Sequence, residues 1–105
     1  MMESRPVKMR GKVVDGVAEI KVLMKHPMET GTRRDDAGAV IPAEFIEQVT
    51  CEHNGNVVLT ADWGTSVSKN PYFAFKVKSA KSGDTVKVGW TDNLGNASKG
   101  EIVLK

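Results

Sequence analysis

The sequence predicts an all-β protein: an immunoglobulin-like antiparallel β-sandwich of about seven strands, forming a single domain over residues 1–105. Short stretches in which apolar and polar residues alternate recur along the chain, as half-buried strands require. Turn signals rich in Gly, Asn, Asp and Pro separate these stretches at regular spacing. No amphipathic helix of real length interrupts them, which favours a sandwich over a mixed fold.

The first half of the chain contains three predicted strands. Residues 5–10 alternate weakly, and Pro6 suits an edge strand because it lacks an N–H group. Residues 11–16 are predicted to form a turn with a short extended piece at Val13-Val14. Residues 17–25 give the clearest strand, which Pro27 ends, and a long loop follows. A third strand is predicted over about residues 45–53, with a helical turn at its start as the alternative.

The second half of the chain contains four more predicted strands. Asn54-Gly55 is the strongest hairpin signal, because both residues tolerate the positive φ of a type I′ turn. The returning strand is predicted over residues 57–61, and a polar loop follows it. Alternating stretches then predict strands over residues 72–78, 85–91 and 98–104.

Composition and charge exclude several functional classes. The formal net charge is +2, and the Lys and Arg residues are spread along the chain among acidic residues. A nucleic-acid-binding protein usually clusters its basic residues, so we expect no nucleic acid partner. No apolar run approaches the ~20 residues of a membrane span, so we expect no membrane association. The N-terminus lacks the apolar core of a secretory signal peptide, so export would depend on another protein.

Cys51 is the only cysteine, which excludes an internal disulfide. It lies on the predicted inward face of its strand together with Val49. A buried free cysteine behaves as a small apolar residue rather than as a nucleophile. His53 lies beside the predicted hairpin turn, where we expect it to face solvent.

His26 is the residue that most resembles part of a reaction centre. A metal site needs three or four ligands, and the other His and the Cys form no local cluster with it. We therefore expect no metal, no cofactor and no catalytic residue. A nucleophilic pair of Cys51 with His26 remains an alternative only if the fold brings them together. Otherwise, we expect His26 to bond the backbone at the strand–loop junction or to contact a partner.

The loop that begins at His26 is predicted to be a partner-binding element. Loops held on a rigid scaffold often carry function, and Met and Arg are enriched at protein interfaces. A solvated charge cluster, with local structural bonding by His26 and Glu29, is the competing interpretation. The candidate residues are His26, Pro27, Met28, Glu29, Thr30, Gly31, Arg33, Arg34 and Asp35.

The same loop carries a likeness to a known family. The run His26-Pro-Met-Glu-Thr-Gly31 is specific, and further short motifs follow it in order over most of the chain. These motifs are Arg33-Arg34-Asp35, Gly38, Ile41-Pro42, Phe45-Ile46, Asn54-Gly55, Asn70-Pro71-Tyr72 and Trp90-Thr91-Asp92 with Gly95. Together they closely resemble the SoxZ family of the sulfur-oxidising Sox system.

The resemblance implies a non-catalytic subunit with an immunoglobulin-like sandwich fold. SoxZ pairs with SoxY in the SoxYZ heterodimer, the sulfur carrier complex of thiosulfate oxidation. The sulfur intermediates are attached to a cysteine on a C-terminal arm of SoxY, which presents them to other Sox enzymes. The resemblance also implies a periplasmic location reached by export together with SoxY. In isolation, the chain is expected to form a homodimer through the surface meant for SoxY.

Two other hypotheses come from different functional classes. One is a thiol-dependent enzyme or sulfur carrier that uses Cys51 with His26. The other is a generic immunoglobulin-like adhesion module, which the specific loop motif makes less attractive. A sulfur adduct on Cys51 would distinguish the first of these from a scaffold subunit.

Overall fold

A computed structural model describes residues 7–105 and confirms the all-β fold, with seven antiparallel strands in two sheets. None of the described residues forms a helix that is long and apolar enough to cross a membrane. The strands are β1 (Val7–Val14), β2 (Val17–Met24), β3 (Ile46–His53), β4 (Asn56–Asp62), β5 (Tyr72–Lys78), β6 (Thr85–Asp92) and β7 (Ala97–Val103).

The two sheets differ in size, and this leaves one strand uncovered. The three-stranded sheet has the order β1-β2-β5, and the four-stranded sheet has the order β4-β3-β6-β7. β1 lies against β7 and closes the sandwich on that side. β5 and β4 are therefore the edge strands of the other side. Because three strands face four, β4 extends beyond the cover of the opposite sheet, and only Ala61 in it is even partly buried.

The core lies between the sheets and follows the predicted alternation. On β2 every second residue is fully buried, while Glu19 and Lys21 between them are exposed. β6 contributes its own buried row, and Cys51 on β3 lies among them with no exposed surface. The buried row of β2 comprises Ala18, Ile20, Val22 and Met24, and that of β6 comprises Val86, Val88, Trp90 and Asp92.

The predicted turn over residues 11–16 is wrong at its start, because β1 continues through Gly11, whereas the predicted extended piece at Val13-Val14 is confirmed as the end of β1. Gly11 pairs with Ile20 and lies so close to the core that a Cβ atom there would be 2.6 Å from Cδ2 of Leu104. A glycine is therefore needed at this position to leave room for core side chains, and not to form a turn. The turn itself is only Asp15-Gly16, both with positive φ. Residues 5 and 6 of the predicted strand lie outside the described residues.

The other six predicted strands are confirmed to within two residues at each end. The Asn54-Gly55 hairpin is also confirmed, with φ of 50° and 84° at the two turn residues. The alternative of a helical turn before β3 is wrong, since Glu44 instead forms an isolated antiparallel bridge with Glu29. This bridge attaches the beginning of the long loop to the segment that enters β3.

Candidate functional site

His26 lies two residues beyond the end of β2 and is buried, with 2% of its surface exposed. Its Nδ1 atom accepts a hydrogen bond from the Met28 N–H at 3.0 Å, and its Nε2 atom lies 2.9 Å from Oδ2 of Asp92. An acceptor nitrogen carries no proton, so the ring proton is on Nε2 and is donated to Asp92. The geometry therefore describes a neutral imidazole with both nitrogens engaged.

Asp92 ends β6 and is the second buried polar residue of this cluster. Its Oδ1 atom accepts from the Leu94 N–H at 3.0 Å and from the Asn96 N–H at 2.8 Å. Its Oδ2 atom accepts from Nδ2 of Asn96 at 3.0 Å in addition to His26. Burial by itself raises the pKa of Asp92, but the hydrogen bonds from His26, Asn96 and Leu94 outweigh it and lower that pKa. Asp92 is thus a buried carboxylate kept charged by its donors.

The first part of the long loop is held inside the protein. His26 and Asn70 exchange bonds: the His26 N–H donates to Oδ1 of Asn70 at 3.1 Å, and the Asn70 N–H donates to the His26 carbonyl at 2.9 Å. Met28 is 5% exposed, and its sulfur accepts from the Ile46 N–H at 3.4 Å. The expectation that His26 bonds the backbone at the strand–loop junction is confirmed.

The second part of the loop, residues 32–40, is exposed throughout. The Arg33 guanidinium donates to both carboxylate oxygens of Glu29, from Nε at 3.2 Å and from Nη2. That bond is the main reason why the pKa of Glu29 is lowered. Arg34 donates to the Gly38 carbonyl at 2.8 Å, and Asp35 Oδ1 accepts from two backbone N–H groups, so the charged side chains also organise the loop.

The nine predicted partner-binding residues therefore fall into two groups. His26 and Met28 are buried and engaged inside the protein, so in this conformation they are not available to a partner. The other seven are half-buried or exposed, and four of them line a groove of about 410 Å³: Pro27, Glu29, Thr30 and Arg33. Their role in binding stays a prediction. The half-buried residues are Pro27, Glu29 and Gly31, and the exposed ones are Thr30, Arg33, Arg34 and Asp35.

One cluster in the described part of the chain has the composition of a metal site. Ligand atoms of His26, Glu44 and Asp92 all lie within 4.8 Å of one another. A metal on Nε2 of His26 would require the ring proton to move to Nδ1, where it would face the Met28 N–H. The hydrogen bonds therefore oppose coordination and favour a structural role. Sequence reasoning missed the cluster because Asp92 is 66 residues from His26.

The geometry gives no support to the Cys51–His26 pair. Cys51 has no exposed surface, and burial raises the pKa of its thiol to about 11. Both ring nitrogens of His26 are already bound elsewhere. The prediction that His53 faces solvent is wrong: His53 is half-buried, with Nε2 2.8 Å from Oδ2 of Asp84. Bonds from His53, Lys81 and Asn54 lower the pKa of Asp84 to about 2.

A second candidate site is the β4 edge, which we define as Val57, Val58 and Leu59. These side chains are 60%, 47% and 38% exposed. Leu59 pairs with Cys51 and so lies on the inner face of its sheet, yet no strand covers it. The pairing shifts next to this point, which leaves Val58 as an extra residue on β4. This surface was not predicted from the sequence; the run of three apolar residues is the signal that could have indicated it.

Comparison with known proteins agrees with this combination of fold and loop. The family model described as "Sulphur oxidation protein SoxZ" matches residues 7–103 of the 105-residue chain. A search of curated proteins finds no match. The matched region contains all seven strands, the long loop and the His26–Asp92 contact. The chain therefore belongs to the SoxZ family and has a role in sulfur oxidation.

Proposed function

We propose that this chain is the non-catalytic scaffold subunit of a SoxYZ carrier complex. It pairs with SoxY, whose C-terminal cysteine arm carries the covalently bound sulfur intermediates. The complex then presents them to the other Sox enzymes. Membership of the SoxZ family supports a role in sulfur oxidation. The exposed apolar β4 edge is the observation that supports pairing with SoxY.

The β4 edge is well suited to a protein partner. Exposed apolar side chains that lie together on one strand mark interaction surfaces, and here they are contiguous in sequence. β4 is also an edge strand, paired with β3 alone in its sheet, so its other side offers unpaired backbone groups. A strand or sheet edge of SoxY that pairs there would cover both features. Without SoxY, two copies of this chain would associate through the same surface.

A non-catalytic role is supported by the environments of Cys51 and His26, the two side chains best suited to nucleophilic or acid–base chemistry. The Cys51 thiol is buried and has a raised pKa, so little thiolate forms at neutral pH. His26 has no free ring nitrogen to act as a base. Both observations support the proposal that the sulfur is carried by the partner subunit rather than by this chain.

Residues 32–40 of the loop are a second contact surface in this proposal, used for SoxY or for a docking enzyme. The Glu29–Arg33 and Arg34–Gly38 bonds hold this segment in a defined shape. A preorganised loop loses less conformational entropy on binding than a flexible one. The complex acts in the periplasm in this proposal, after export together with SoxY.

Co-expression with SoxY from the same organism tests the pairing. Tagged SoxY is expected to retain this chain at equal stoichiometry, and Val57→Lys is expected to weaken retention at least about tenfold by placing a charge in the interface. Val103→Lys is the matched control, because Val103 is 61% exposed on the opposite edge strand of the same sheet. No retention of the wild-type chain overturns the proposal. If Val57→Lys and Val103→Lys weaken retention by SoxY equally, the interface lies away from β4.

A further inference from the structure

The outer face of the three-stranded sheet concentrates positive charge. Alternate residues of a strand point to the same face, so basic residues at every second position come together when β1, β2 and β5 pair. Among the described residues of these three strands, Glu19 is the one acidic residue on this face, whereas the whole chain has a net charge of only +2. We call this surface the basic face; its charged residues are Lys8, Arg10, Lys12, Lys21, Lys76 and Lys78, all exposed.

The register of the strands places like charges opposite each other. Arg10 pairs with Lys21, and like charges directly across two strands are destabilising. Glu19 is opposite Lys12 on one side and Lys76 on the other. Its Oε1 atom also lies 4.0 Å from Nζ of Lys21, so one carboxylate is shared among three ammonium groups. The face therefore has more positive charge than it neutralises, and an external anionic group would relieve the repulsion.

The basic face is also shaped as a groove. Arg10, Lys12 and Lys76 are among the residues that line a concavity of about 630 Å³. Val14 and Val17 lie at one end of it, and Val14 is 55% exposed. A mixture of basic and apolar lining suits a polypeptide that carries carboxylates and some apolar side chains. A row of phosphates along a nucleic acid would gain nothing from the two valines.

We propose that the basic face docks an acidic segment of a partner protein in a weak, electrostatically steered complex. Strands about 4.8 Å apart with a rise of about 3.3 Å per residue give the face dimensions of roughly 14 × 25 Å. This area is well below the ~800 Å² that each partner contributes to a stable interface. Opposite charges raise the association rate even when the contact is small. The face points away from the four-stranded sheet, so pairing at the β4 edge leaves it accessible, and the inference does not depend on SoxY.

Titration of the ¹⁵N-labelled full chain with poly-L-glutamate tests the proposal. Chemical-shift changes are expected on β1, β2 and β5, with an affinity that falls as salt is added. Arg10→Glu with Lys21→Glu is expected to weaken binding at least about tenfold. Lys81→Glu with Lys99→Glu changes the net charge equally at exposed positions elsewhere and is expected to weaken binding less than about threefold. If circular dichroism shows that the first variant is unfolded, Arg10→Gln with Lys21→Gln replaces it, because it removes the repulsion.

Three outcomes would overturn the proposal. Shift changes that map outside β1, β2 and β5 would place binding elsewhere. Equal losses in the two double variants would show that only the net charge matters. Tighter binding to a DNA duplex or to phosphatidylglycerol vesicles than to poly-L-glutamate, with the same sensitivity to Arg10 and Lys21, would assign the face to nucleic acid or to a membrane.

Discussion

The Nε2 atom of His26 lies 2.9 Å from Oδ2 of Asp92, and this buried hydrogen bond joins the end of β2 in one sheet to the end of β6 in the other. The opposite ring nitrogen accepts from Met28 and sets the path of the loop. Both residues belong to motifs that carry the family likeness. The contact between His26 and Asp92 gives these motifs a structural role, because it links the two sheets and the start of the loop.

Removal of the Asp92 charge is expected to destabilise the protein. Asp92→Asn replaces a carboxylate that accepts at least four hydrogen bonds with an amide that cannot accept all of them, at a cost of about 1–3 kcal/mol. Urea unfolding measures this cost. Asp36→Asn, on the exposed loop, makes the same chemical change and is expected to stay within about 0.5 kcal/mol of the wild type.

The same pair of variants predicts the pH dependence of stability. The pKa of Asp92 is lower in the folded protein than its ordinary value of 3.8. Its contribution is therefore complete above that value and is lost as the pH falls through the lower folded pKa. The stability difference between the wild type and Asp92→Asn should shrink below about pH 4. A difference that stays constant down to pH 2 would contradict this assignment of the charge.

Gly11→Ala is expected to destabilise the protein by about 1–3 kcal/mol through overpacking. The new Cβ would lie 2.6 Å from Leu104, 2.7 Å from Ile102 and 2.9 Å from Ile20. Gly64→Ala is the control, because no heavy atom lies within 4 Å of the Cβ position there and its φ is not positive. Equal stability of the two variants in urea would show that these side chains move aside without cost.

Cys51 is expected to resist alkylation in the folded protein. Its thiol is buried, and the pKa raised to about 11 leaves little thiolate at pH 8. Intact mass after treatment with iodoacetamide should show no adduct until urea is added. Rapid modification without urea would restore the hypothesis of a sulfur carrier that uses this cysteine.

Arg33→Glu together with Arg34→Glu is expected to weaken binding to SoxY or to a docking enzyme, because both side chains are exposed and their charge would be reversed. The double variant also breaks the bonds to Glu29 and Gly38. Glu29→Gln is therefore the control: it removes the carboxylate and keeps both guanidinium groups. If Glu29→Gln weakens binding as much as the double variant, the loop acts through its shape. Unchanged affinity of the double variant for every Sox partner would remove the loop from the interaction surface.

The strands were predictable because apolar alternation reports which face of a strand is buried. Val17–Met24 and Thr85–Asp92 show this alternation most clearly. The same pattern correctly predicted that Cys51 is buried. Gly11 misled the prediction, since a glycine that prevents a clash and a glycine that permits a turn look the same in a sequence. Only the packing of Leu104 and Ile102 distinguishes the two.

The site and the surfaces were harder to predict because they depend on which strands are neighbours. Asp92 is adjacent to His26 only after β2 and β6 face each other. The basic residues looked dispersed along the chain, but the pairing of β1 with β2 and β5 gathers six of them on one face. The exposure of the β4 edge follows from the unequal sizes of the two sheets, which no local pattern reports.

The most direct test of the scaffold role is native mass spectrometry of this chain co-expressed with SoxY and incubated with thiosulfate and the other Sox enzymes. A complex with one copy of each subunit is expected. On dissociation, all of the added sulfur mass should be on SoxY and none on the chain that contains Cys51. Absence of the complex, or an added sulfur mass on this chain, would rule out the scaffold role.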